Sequence, residues 1–295
     1  LCTVTAKVAG SSPVHPANSL NKNKMQSLFS DRLGFSNSPE LQIDTISDTL
    51  KTRIWNSVDE FVLVYTEQPL NINFYRSLWT DFFKYSITHV TNFWGNYYND
   101  IYLNYYQLEW YDIYGFIEFI IRSGIEDIDL FTYSVNNILK EENAAYRIIG
   151  ETVARITDEF QIEEVQKVIQ SRVVGAKEHI QNAISKLSDK KNPDYRNSIK
   201  ESISAVESMS KYYSKNDNGT LGSLIEYIDK NSTEKIPKSL TKAFKKLYGY
   251  TSSEGGIRHG MLDKSNIKYH DALFMLVICS AFINYCEQTL DQQSD

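Results

Sequence analysis

"AAYRIIGETVARIT", residues 144–157, is where the helical patterning of this chain stops. Two β-rich runs flank Gly150-Glu151, and that arrangement predicts a small hairpin. Helical periodicity resumes at once in "TDEFQIEEVQKVIQ", 157–170, with Thr157 or Asp158 as the cap and acids in the first turn. Further on, helices are expected over 173–188, 194–214, 219–230, 236–248 and 268–290. Asn192-Pro193, Gly219, Pro237 and Gly255-Gly256 punctuate them. Toward the front, Ile46, Leu50, Ile54, Val58 and Phe61 recur at helical spacing behind Asp44, a candidate N-cap. "FSDRLGF" at 29–35 reads as a short capped entry, and more helices are expected near 73–89, 100–123 and before Asn143. The fold class is therefore mainly α. An N-terminal helical domain with a small β-hairpin precedes a C-terminal helical bundle, and no internal repeat is visible.

A chain of 295 residues with 42% hydrophobic and 23% charged residues can build a globular core, and two domains are expected. The longest apolar run, "ALFMLVICSAFINYC" at 272–286, falls short of the roughly 18 residues of a membrane span and fits a buried core helix. Cys279 and Cys286 lie in that run. With Cys2 they make no disulfide framework, and they suit reduced core positions in a cytoplasmic protein. No CxxC or His/Cys cluster has zinc spacing, so neither a metal nor a cofactor is expected. Residues 1–24 lack apolar periodicity and the apolar stretch of a signal peptide. Their "VAGSSPVHPA" resembles a mistranslated tRNA-gene end, and translation is expected to begin at Met25, leaving 1–24 as a disordered or untranslated leader.

Charge is uneven. Residues 196–270 carry 13 Lys+Arg against 8 Asp+Glu, while the whole chain is −6. A basic back half behind an acidic front suggests an anionic ligand for the back half. The aromatics crowded between Phe93 and Phe116 could stack on single-stranded nucleic acid. Basic residues are missing there, and spacings of three and four suit a packed helix face or a partner surface better. Nucleotide P-loops, Rossmann turns, GxSxG elbows and HExxH helices are absent, and no helix-turn-helix stands out.

The blocks "EENAAYRIIG…ITDE", "LSDKKNPDYRNSIKESISAVES", "KLYGYTSSEGGIRHGM" and "ALFMLVICSAFINY" occur in an order that resembles the AbiJ-type abortive-infection proteins. "FSDRLGF" and "LKTRIWN" resemble the amino-terminal domain those proteins carry. The resemblance spans about residues 28–286. It implies an AbiJ-type domain over 25–170 and a HEPN-like bundle over 171–295, the latter a fold of RNA-cleaving toxins and antiviral defence proteins. Partners it implies are RNA, a second copy in a homodimer, and a phage-derived trigger or regulator at the N-terminal domain, with no membrane.

The HEPN signature sets an Arg four to six residues before a His at a helix start. Imidazole can take the proton of a 2′-hydroxyl near neutral pH, and a planar guanidinium can hold the phosphate as charge builds. In the abortive-infection branch the motif often ends Gly, two residues, His-Gly, matched here by Gly256-Ile257-Arg258-His259-Gly260. The arginine departs from the pattern. Its places hold Ser252, Ser253 and Glu254, and Arg258 adjoins His259 instead. A second match, Arg172 and His179, lacks the glycine context and reads as coincidence. Lys238, Lys242 and Lys245 share one face of a helix and are candidate phosphate contacts, together with Arg196. Asn197 and Glu201 are candidate supporting residues near the histidine, or ordinary helix-surface residues. Two readings follow: a metal-independent endoribonuclease acting through His259 and Arg258, or a non-catalytic HEPN-like module for RNA binding or assembly.

Overall fold

Among the described residues, helices form where the sequence keeps a three-to-four-residue apolar period, and the single hairpin falls where that period lapses. The computed structural model describes residues 40–63, 72–86, 94–189, 191–232, 235–250 and 267–291. The leader, the capped entry at 29–35 and the segment containing Arg258 and His259 lie outside these described residues. The first helices are α1 (Asp48–Val58), continued by a π-helical turn over Asp59–Leu63, and α2 (Ile72–Ser77), continued likewise over Leu78–Phe82. Then come α3 (Trp94–Gln107), α4 (Trp110–Arg122) and α5 (Ile128–Glu141). The hairpin is β1 (Arg147–Ile149) with β2 (Thr152–Ala154). Behind it follow α6 (Glu159–Ile169), α7 (Val174–Ser188), α8 (Tyr195–Ser214), α9 (Leu221–Asn231), α10 (Lys238–Tyr250) and α11 (Tyr269–Asp291).

Three expectations change in detail. The cap of α1 is Ser47, whose side chain accepts from the Leu50 amide at 3.1 Å. Asp44 sits three residues earlier in a left-handed conformation, φ 46°, and accepts from the Tyr146 hydroxyl. The helix expected over 100–123 is two helices, broken at Leu108-Glu109. Lys51 reaches across from α1 and donates its ammonium to the carbonyls of Tyr106 and Leu108, both at 2.8 Å, capping the end of α3. The helix expected over 73–89 leaves helical geometry after Phe82, where Lys84 takes φ 60°.

Two apolar cores divide at β1. The first runs from Leu50 through Tyr105, Phe116 and Phe131 to Ile148. The second begins at Ile149 and collects Val165, Ile180, Ile199, Met209, Leu224 and the inner face of α11. Successive strand residues point to opposite faces, so neighbouring isoleucines serve different cores. Residues Arg147–Ile149 pair antiparallel with Thr152–Ala154, and Gly150 makes the turn at φ 59°, a conformation glycine adopts without strain. The hairpin edge is closed by Asn136 of α5, whose amide donates to the Ile148 carbonyl (2.9 Å) and accepts from its N–H (2.8 Å).

The final helix α11 turns Ala272, Leu276, Cys279, Ile283, Cys286 and Leu290 inward at helical spacing. Burial pushes the Cys279 thiol up to about 12 and raises Cys286 as well. By length and composition Tyr269–Leu290 could also cross a membrane, and about half of it is buried inside the bundle. The helix outruns the apolar stretch at 272–286 because Tyr269–Asp271 and Glu287–Asp291 extend it at both ends.

Candidate functional site

The basic and polar residues singled out in the back half belong to a bundle whose central pair is α7 and α8. These antiparallel helices pack closely because small residues line their contact. A Cβ on Gly175 would lie 3.1 Å from Ser208, and the Ser198 hydroxyl donates to the Ala183 carbonyl at 2.8 Å. Asp194 caps α8 by accepting from the Asn197 amide at 3.1 Å, and the Asn197 side chain donates back to the same carboxylate at 2.6 Å. Asn197 is thus held at the helix start. Arg196 is half-buried beside it in the first turn.

Glu201 is partnered by His179. Its carboxylate meets His179 Nδ1 at 2.7 Å, across the contact between α7 and α8. His179 and Glu201 are both partly exposed, so the pair stands at the surface of the bundle. Arg172, the other half of the second Arg–His match, donates to the Tyr213 hydroxyl at 2.8 Å and lies over that ring. Glu201 and Tyr213 are twelve residues apart on α8, about 18 Å along its axis. Arg172 and His179 therefore engage different points of α8. The pairing of His179 with Glu201 spans the turn of a helical hairpin unevenly, thirteen residues before Asn192 and eight after Pro193, so spacing about that turn alone does not signal it.

Helix α10 presents Lys238, Lys242 and Lys245 to solvent on one face, as their spacing requires, with Lys246 exposed beside them. Its other face is anchored. Phe244 packs on Phe282 of α11 with ring centroids 3.9 Å apart, and the Tyr248 hydroxyl bonds to Glu207 of α8. The basic stripe is thereby fixed outward, on the helix that runs directly into the segment bearing Arg258 and His259. The aromatic stretch of the front half is turned inward: Trp55 gathers Tyr98, Tyr102 and Tyr105 at centroid distances of 5.1–5.9 Å, and Tyr105 is fully buried. Among the described residues no group of three or more His, Cys, Asp or Glu side chains is arranged to hold a metal ion.

Comparison with known families bears on the front half. Residues 27–171 match the family described as AbiJ N-terminal domain 4. This supports an AbiJ-type protein. No curated protein and no solved structure matches the chain. The AbiJ-type match includes the first core, the hairpin and α6, although α6 packs its buried face into the second core through Val165, Val168 and Ile169. An AbiJ domain associates the protein with abortive infection, the defence in which an infected cell is sacrificed.

Proposed function

We propose that this protein is a cytoplasmic abortive-infection effector whose C-terminal bundle is HEPN-like and cleaves RNA. The observation that carries the reading is the outward Lys238-Lys242-Lys245 face on α10, leading into Gly256-Ile257-Arg258-His259-Gly260 behind an AbiJ-type domain. Exposed lysines at one-turn spacing would hold successive phosphates. His259 would take the proton of a ribose 2′-hydroxyl, whose oxygen attacks the adjacent phosphorus. The 5′-oxygen leaves, and a 2′,3′-cyclic phosphate remains. Arg258 would stabilise the charge on the phosphoryl oxygens. A homodimer would set two copies of the motif side by side, and the AbiJ-type domain would receive a phage-derived trigger or regulator.

A second reading has its own support. The positions at which the HEPN arginine falls are Ser252, Ser253 and Glu254, and the nearby polar candidates Asn197 and Glu201 are engaged by Asp194 and His179. On this reading the bundle binds RNA or assembles without cutting. Inducible expression of wild type and His259→Ala, followed by sequencing of new RNA ends, separates the two. Cleavage predicts new ends and growth arrest with wild type alone, persisting in EDTA when purified protein is used. Equal toxicity of both proteins leaves the binding module as the answer.

A further inference from the structure

The first strand of the hairpin buries a guanidinium that no carboxylate of the described protein neutralises. With Ile148 in the first core, Arg147 and Ile149 face the other way, toward α6. Arg147 is only 8% exposed. Its Nη1 spends both protons on the carbonyls of Ala144 (2.8 Å) and Tyr146 (2.7 Å). The Nε and Nη2 protons meet no acceptor among the described residues, and those two nitrogens form the edge that grips an oxyanion with two parallel bonds. Burial lowers the proton affinity of this guanidinium, and the more distant Glu159 and Tyr114 offset that in part. Nε and Nη2 are not among the fully buried polar atoms without a partner, so this edge opens onto the groove beside it, where a ligand can reach it.

The residue lines a groove of about 600 Å³ between α5 and α6, a size that suits a small ligand. Two acids also line it, but each already has a lysine: Glu159 pairs with Lys140, and Glu163 with Lys167 at 3.0 Å. Lys167 also reaches Glu164 at 3.1 Å. Arg147 is the charge left over. On the α5 wall, Asn137 is half-buried and its side-chain amide has no partner among the described residues, whereas neighbouring Asn136 is occupied by β1. One turn before Asn137, the ring of Tyr133 is 69% exposed at the same groove. An oxyanion grip, an open amide and a bare aromatic face are three parts of one recognition problem.

We propose that this groove binds a mononucleotide, with its phosphate on the Nε/Nη2 edge of Arg147, its base against Tyr133 and the base edge on the Asn137 amide. The assignment is independent of RNA cleavage at His259, since every residue it uses lies within the AbiJ-type segment. A ligand held here touches α5, β1 and, through the groove wall, α6, so it would stiffen the junction of the two cores.

Calorimetric titration of the full chain with AMP, GMP, CMP and UMP, alongside adenosine, guanosine, cytidine, uridine and inorganic phosphate, tests the proposal. At least one nucleotide should bind and raise the melting temperature, while its nucleoside and phosphate alone bind at least tenfold more weakly. Arg147→Gln should weaken binding on the order of tenfold or more, the worth of a lost charged hydrogen bond. That variant also loses the bonds to Ala144 and Tyr146, so Tyr133→Ala provides a second reading. It removes an exposed ring and should weaken nucleotide binding severalfold without moving the ligand-free melt. His259→Ala should bind nucleotide as wild type does, which keeps this result separate from the fate of the RNA proposal. No binding at millimolar concentration, equal binding of phosphate alone, or binding indifferent to Arg147→Gln and Tyr133→Ala would each overturn the assignment.

Discussion

Tyr105 and Tyr114 are both buried, in adjacent helices, and burial raises the pKa of both hydroxyls. Only one hydroxyl is satisfied. Tyr105 donates to the Lys51 carbonyl at 2.8 Å, whereas the Tyr114 hydroxyl has no partner among the described residues. A buried hydroxyl without a partner costs stability, and a bonded one contributes about 1 kcal/mol. Tyr114→Phe should therefore leave urea stability unchanged or raise it, while Tyr105→Phe lowers it by about 1 kcal/mol. Equal losses in the two variants would refute the contrast. The same scale governs Cys279 and Cys286. Their raised pKa values and buried sulfurs should leave both unlabelled by iodoacetamide at pH 8 in the folded protein and fully labelled in urea, as peptide mass spectrometry would show. The inward fate of these residues was legible because apolar period reports burial. Hydroxyl partners were not, because they depend on where a backbone from another helix passes.

Helices were legible as elements, and their ends much less so. Asp158 caps α6 as its position before an acidic first turn suggests, accepting from the Gln161 amide at 2.9 Å. The break between α3 and α4 had no local signal, because the group that stabilises it, the Lys51 ammonium, lies more than fifty residues away. Lys51→Met keeps the apolar stem and removes the donor. It should cost about 1–3 kcal/mol by leaving the Tyr106 and Leu108 carbonyls without it. A denaturant midpoint identical to wild type would show that the cap contributes nothing. On α10 the expectation is reversed. Lys238, Lys242 and Lys245 are exposed, so replacing all three by Ala should leave the melt near wild type, each change within about 0.5 kcal/mol. If the stripe contacts phosphates, the same variant should bind RNA more weakly and with a shallower salt dependence. The stripe was readable from spacing alone because a helix repeats its faces whatever it packs against. The partnering of Glu201 with His179 was not read, since it also requires the register of α8 against α7.

At the scale of the whole molecule, the hairpin that interrupts the helical pattern is also where the two cores meet. Ile148 and Ile149 are each 1% exposed, one in either core, and a single strand of three residues carries both. Asn136 of α5 clamps β1 from one side, and Gln166 of α6 accepts from the Gly150 amide at 3.2 Å on the other. Neither core can lose its packing around this strand without disturbing the backbone that the other uses. The two should then unfold together. Ile148→Ala and Ile149→Ala each remove a buried side chain and should cost about 2–5 kcal/mol. For a cooperative unit of this size that lowers the melting temperature by roughly 5–15 °C. Differential scanning calorimetry should show one transition in wild type, displaced as a whole by either substitution. Two resolved transitions, with Ile148→Ala moving only one and Ile149→Ala only the other, would mean that the hairpin merely joins two independent folding units. A single transition that moves under both would show that β1 ties the AbiJ-type segment and the bundle behind it into one cooperative unit.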